Sequence, residues 1–194
     1  MTTTLPGTAT ALLQLPVPYF SQRDSRSGQA ERMCFSSSCA MAAAQLQPGC
    51  LGGGDQADDT YLQLVNRHGD STDAAAQLAA LRQLGLRASF RQDGDAATLI
   101  AQLQRGVAVP VGWLHRGPVT APSDGGHWSV VVGWDGAQRD WLMHDPYGEA
   151  DLLAGGFCRT SPGSGRAQRY SDRHWGPRWQ VEGPGTGWWI ALGD

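Results

Sequence analysis

The chain has 194 residues, 41% of them hydrophobic and 17% charged, with a formal net charge of −3. That balance fits one globular domain with a sizeable core. The charge gives no basis for gripping nucleic acid by its phosphates, and no stretch approaches the roughly 20 apolar residues of a membrane-spanning helix.

The first residues, MTTTLPGTATALLQLPVP, carry no basic segment and no apolar run of signal-peptide length. Synthesis in a cytoplasm without a signal peptide is the expectation. Residues 1–13 read as a flexible N-terminal segment, and 14–194 as one domain. Leu15 to Ser21 (LPVPYFS) is short, apolar and punctuated by proline, which suits an extended segment and delivers Gln22. A polar loop from Asp24 to Arg32 follows. Ser36 to Leu46 (SSSCAMAAAQL) is small and Ala-rich, a strong helix signal. Ser36 to Ser38 offer hydroxyls to cap the free N–H groups at its start. CLGGGDQADD, from Cys50, reads as loop, and its glycines lack the flanking strand and Lys-Ser/Thr of a phosphate cradle.

Helices are predicted over Asp59 to Arg67 and over Asp73 to Leu84, the second with Ala76, Leu78, Leu81 and Leu84 on one side and Gly85 as its stop. Leu86 to Gln92 alternates like a strand. Asp95 begins a helix with Leu99, Ile100 and Leu103 on its apolar face. Val107 to Leu114 is a strand that Pro110 demotes toward a sheet edge or marks with an irregularity. A Gly/Pro/Ser loop runs to Gly126. His127 to Asp135 (HWSVVVGWD) reads as a buried strand, residues 136–140 as a turn, and Trp141 to His144 as the strand pairing back. Trp188, Trp189 and Ile190 mark a last strand. Helices first and an antiparallel sheet second make this an α+β domain.

The chemistry centres on Cys34. It falls at the start of the Ala-rich helix, where the helix dipole favours thiolate over thiol. The alternative is a small buried hydrophobe, as most free cysteines are. The four cysteines stand at 34, 39, 50 and 158, without a C-x-x-C, so free thiols or one disulfide at most are expected. A thiolate needs a base, and the base needs an orienting group. His127 follows a Gly-rich loop and opens a strand; Asp145 ends the next one. Pairing through the turn at Gly136 converts their 18-residue separation into adjacency. Gln22 lies on the segment feeding the same loop, where its amide can donate to a developing oxyanion. Taken singly, His127 also reads as a satisfied core histidine and Asp145 as a turn residue before Pro146.

The segments VPYFSQRD, CFSSSCAM, GGHWSVVVGWD and MHDPYGE, in that order, resemble the papain-like cysteine peptidases. Within them the chain resembles the bacteriocin-processing, double-glycine leader peptidases and their stand-alone phage and bacterial relatives. The resemblance implies a papain-like fold, with the nucleophile helix packed on a C-terminal antiparallel sheet. It also implies Cys34 as nucleophile, His127 as general base, Asp145 as its orienting group and Gln22 as oxyanion donor. Relatives carry Gly-Pro after the nucleophile; this chain has Phe35-Ser36.

Two function classes follow. One is a cysteine endopeptidase, either a phage-type lysin that cuts peptidoglycan cross-links at the cell wall or a polypeptide-processing peptidase of double-glycine type. The other is a non-catalytic module binding a peptide or a cell-wall fragment. Deamidation and acyl transfer would use the same three groups. No cofactor, metal or nucleic-acid partner is expected. His115, His144 and His174 have no Cys or His at ligand spacing, and His144, adjacent to Asp145 on a strand, should face the other way. Cys39 reads as core. Asp55, Asp58 and Asp59 miss an EF-hand spacing and read as a solvated acidic loop. The tail tryptophans read as core and cleft wall.

Overall fold

The structure, a computed structural model, describes residues 12–193. Of the expected flexible segment, residues 1–11 lie outside the described residues, while Leu12 and Leu13 belong to a strand. That strand, β1 (Leu12–Gln14), pairs antiparallel with the end of the long strand β4 (Ser123–Asp135).

Three helices follow: α1 (Cys34–Leu46), α2 (Ala57–Val65) and α3 (Ala74–Gln83). Then come β2 (Ala88–Gly94), α4 (Ala96–Gln104) and β3 (Val109–Arg116). After β4 the chain forms β5 (Asp140–His144), the short pair β6 (Glu149–Ala150) and β7 (Phe157–Arg159), β8 (Gln168–Ser171), α5 (Asp172–Trp179) and β9 (Gly187–Leu192). The main sheet runs β2-β9-β3-β4-β5-β8, all antiparallel, with β1 added alongside β4.

Period-2 alternation along β4 splits the core in two. Val130 and Val132 face α1, α2 and α3; Val131 faces the opposite way, with α4, α5 and the indoles of Trp141 and Trp175. The helical half therefore packs on one face of the sheet, while α4 and α5 cover the other. Pro110 lies in a central strand, not an edge. Its missing N–H is tolerated because β9 pairs with β3 only from Val111 onward.

Helix α1 is buried from Phe35 to Ala43. Its Ala and Ser side chains are small because it lies against α2 and the sheet together. The serines do not cap it: the N-cap is Met33, without a side-chain bond. Ser36 Oγ accepts from Gln77 Nε2 at 2.8 Å, and Ser37 Oγ donates to Asp58 at 2.6 Å. Residues Ala57 to Asp59 are helical, not loop, and Asp58 is fully buried rather than solvated. Burial pushes its carboxyl up to about 7 against the Ser37 bond that lowers it. Asp59 accepts from the hydroxyl of Ser25 and the N–H of Arg26. Gly85 holds the positive φ of 82° that stops α3.

Candidate active site

Cys34 is the first residue of α1 and is partly exposed. It lines a cleft of about 560 Å³ together with Gln22 and His127. The other walls include Glu31, Arg32, Arg116 and Tyr147. All four cysteines are free thiols; Cys39 is fully buried, and that burial raises its thiol well above the ordinary range.

His127 sits inside β4 rather than at its opening, paired across from Trp113. The four residues before it are exposed, and the buried part of the strand begins with its side chain. Register explains the neighbourhood of Asp145. Val130 pairs with His144 and Val131 with Met143, so the residue after His144 falls beside Ser129, on the face shared by His127. His127 Nε2 lies 2.8 and 2.9 Å from the two carboxylate oxygens of Asp145. Cys34 adjoins the ring across the cleft. Burial by itself would lower the His127 pKa. The Asp145 charge and hydrogen bond, and then the Cys34 contact, more than offset this and hold it above its ordinary value. T-shaped contacts with Trp113 and Phe157, at 5.3 and 5.2 Å, fix the ring plane.

Asp145 is fully buried. Besides His127, it accepts from the backbone N–H of Tyr147 at 3.0 Å and of Gly148 at 3.3 Å. The hydroxyl of Tyr170 donates to its second oxygen at 3.5 Å. Its backbone is clamped as well. The Tyr19 hydroxyl donates to the Asp145 carbonyl at 3.0 Å, and the Gln22 N–H to the Pro146 carbonyl at 3.0 Å. Gly165 passes so close that any side chain there would strike the Asp145 carbonyl.

Gln22 opens a short 3-10 turn and is fully buried. One N–H of its amide donates to the Ala30 carbonyl at 2.6 Å, which locks the side chain beside Cys34; its Oε1 has no partner. The second N–H of that amide remains for another acceptor. His144 uses both ring nitrogens elsewhere. Nε2 donates to the Val17 carbonyl and Nδ1 accepts from the Ala167 N–H, each at 3.1 Å. His115, noted in the sequence only for its lack of metal-ligand spacing, has its ring 5.5 Å from His127. Burial, and next the charge of His127, push His115 down to about 4. Tyr19 and Tyr170 were not read as site residues from the sequence; they reach Asp145 only through the fold. Among the described residues no cluster of three or more His, Cys, Asp or Glu could hold a metal ion, and no helix is long and apolar enough to cross a membrane.

No protein-family model and no curated protein matches this sequence. Solved structures do. The peptidase domain of Streptococcus ComA, a bi-functional ABC transporter involved in a quorum sensing pathway, aligns with a TM-score of 0.53 at 17% identity, over 84% of this chain and 93% of that one. A protein from Bacillus anthracis assigned as a C39-like peptidase gives 0.53 at 15% identity, over 95% and 98%. The likeness is one of fold: the chain shares its papain-like, mixed helix and antiparallel-sheet architecture with these two peptidase domains.

Proposed function

We propose that this chain is a cysteine peptidase acting through Cys34, His127 and Asp145. The observation that carries the reading is the buried His127 ring, bonded to the Asp145 carboxylate and lining the same cleft as Cys34. A core histidine needs neither a cleft nor a thiol partner. The raised His127 pKa makes it an imidazolium beside Cys34, and a cation there favours the thiolate. The thiolate attacks the scissile carbonyl, and the carbon–oxygen double bond opens to an oxyanion. The free N–H of the Gln22 amide and the N–H groups of the first turn of α1 receive that charge. His127 then gives its proton to the leaving amine, leaving an acyl-enzyme. Water, deprotonated by His127, releases the acid and regenerates the thiol. Asp145 keeps the ring in position throughout.

Two substrates fit this chemistry, a polypeptide and a peptidoglycan cross-link, and the fold alone favours neither. The bonded pair of His127 and Asp145, on a cleft that also holds Cys34, weighs against a module that only binds. Mass spectrometry of a digest of purified peptidoglycan, run beside a denatured protein, tests the reading. New peptide termini in either sample, absent with Cys34→Ala, support it. No hydrolysis of either overturns it.

A further inference from the structure

The two walls of the Cys34 cleft come from opposite halves of the chain, and a network of three side chains joins them. Glu31 belongs to the 3-10 turn Ala30–Arg32, just before Cys34. Tyr147 follows Asp145 in the loop after β5. Both side chains line the cleft. The Tyr147 hydroxyl donates to Glu31 Oε2 at 2.9 Å.

Arg23 completes the network. Its Nη1 donates to Glu31 Oε1, and its guanidinium lies over the Tyr147 ring, 4.8 Å from the centroid. Its Nε donates to the Thr160 carbonyl at 3.3 Å, a second bond from the Cys34 wall to the sheet half. One oxygen of Glu31 is therefore held from its own wall and the other from across the cleft.

Each member adjoins a reacting group. Arg23 follows Gln22 directly in the chain. Glu31 follows Ala30, whose carbonyl holds the Gln22 amide at 2.6 Å. The Tyr147 N–H donates to the Asp145 carboxylate at 3.0 Å. Its ring stands edge-on to His127 at 6.4 Å and packs against Phe157 at 4.6 Å. A shift of either wall is passed to the group that wall carries. Stability does not account for the network, because the Glu31 side chain is 69% exposed, and ion pairs this exposed contribute little to folding. What the three side chains add is geometry.

We infer that Arg23, Glu31 and Tyr147 are positioning residues, a clamp across the cleft that holds Cys34 in register with the His127–Asp145 pair. The inference rests on the peptidase reading and adds to it the groups that keep its two halves aligned. Reaction geometry is sensitive to such alignment, since a misplacement of about 1 Å costs roughly a hundredfold in rate.

The test compares the wild type with Tyr147→Phe, Glu31→Ala, their double variant and Glu31→Gln, none of which removes a reacting group. Values of kcat and KM are measured on whichever probe the wild type cuts, denatured protein or purified peptidoglycan. Cys34 alkylation by iodoacetamide and the thermal midpoint are measured beside them. Tyr147→Phe keeps the ring and loses only the bond across the cleft. It and Glu31→Ala should each lower kcat by roughly tenfold and slow alkylation in parallel, with KM and the thermal midpoint nearly unchanged. The double variant should be no slower than the slower single variant, because both changes break the same bond. Glu31→Gln should keep most of the wild-type rate, since its amide oxygen can accept from Arg23 and its NH₂ can donate to the Tyr147 hydroxyl. Unchanged kcat and alkylation in Tyr147→Phe overturn the clamp and leave the peptidase reading standing. A rise in KM alone does the same, because it makes the pair a substrate contact, and so does a rate loss that tracks a falling thermal midpoint. A wild type that cuts neither probe overturns both.

Discussion

The β4–β5 ladder carries a buried histidine on each face, and the two have opposite fates. His127 is 3% exposed and His144 6%. They sit on neighbouring strands, His127 bonded to Asp145 across the ladder and His144 next to it in the chain. His127 meets a carboxylate and a thiol, and its pKa rises. His144 meets only a backbone carbonyl and a backbone N–H, and burial pushes its pKa down. That leaves His144 neutral, with its proton on Nε2. Burial alone would have discharged both rings. The partner set decides which becomes an acid–base group and which becomes a strut.

The hardest way to break the comparison is to remove the reacting groups. Cys34→Ala should abolish hydrolysis with folding intact, since the residue is partly exposed at a helix start. His127→Ala should cost roughly a thousandfold or more in kcat. Peptide hydrolysis, with circular dichroism as the folding control, measures both. Near-native turnover in His127→Ala combined with loss in His144→Ala would reverse the assignment of the two faces.

Gln22→Ala comes next. Gln22 has no charge to give the thiolate, and its part is to meet the oxyanion. Loss of one such donor costs about 3 to 4 kcal/mol of transition-state stabilisation, or roughly a hundredfold to a thousandfold in kcat. KM and alkylation of Cys34 should hardly move, because alkylation passes through no oxyanion. Equal slowing of alkylation and hydrolysis would show that Gln22 supports the fold instead.

Asp145→Asn should be milder, about tenfold. The new amide oxygen can keep the position that accepts from His127, Tyr147 and Gly148, and its NH₂ can donate to the Tyr170 hydroxyl. What is lost is the negative charge holding the imidazolium. The pH profile of kcat/KM should accordingly lose its alkaline arm at lower pH than in the wild type. A profile unchanged in both rate and shape would deny the carboxylate any electrostatic role.

One expected change is in stability rather than rate and concerns Asp58, the buried carboxyl with an unpartnered oxygen. Its folded pKa, near 7, lies above the unfolded value near 4, so the folded state holds the extra proton. Stability is therefore full below about pH 4 and falls as pH rises toward 7. Asp58→Asn should flatten that slope and stabilise the fold at pH 8 by on the order of 2 kcal/mol. Chemical denaturation at pH 4 and pH 8 checks it, and parallel pH dependence in both chains would refute it.

Much of the site was legible because its parts are separated by punctuation. Gln22, Cys34, His127 and Asp145 each stand at the edge of an apolar or Ala-rich run, and period 2 carried His144 to the other face. The errors came from tertiary contacts. Ser36 and Ser37 bond sideways to Gln77 and Asp58, which no local rule for helix starts foresees. Helix α5 was missed because DRHWGPRW contains Gly176 and Pro177. It forms because the stacked Trp175 and Trp179 and the four carbonyl bonds of Arg178 outweigh local propensity. Strand β4 begins four residues early because residues 123–126, loop-like by composition, pair with β3.

The central claim is that His127 is charged by Asp145 and in turn activates Cys34. Site-resolved alkylation by iodoacetamide between pH 5 and pH 9 tests it directly, with peptide mapping to separate Cys34 from the exposed Cys158. The account predicts that wild-type Cys34 is alkylated far faster than Cys158, and that His127→Ala removes this advantage. The same pH profile for Cys34 in both proteins, matching that of Cys158, would contradict it.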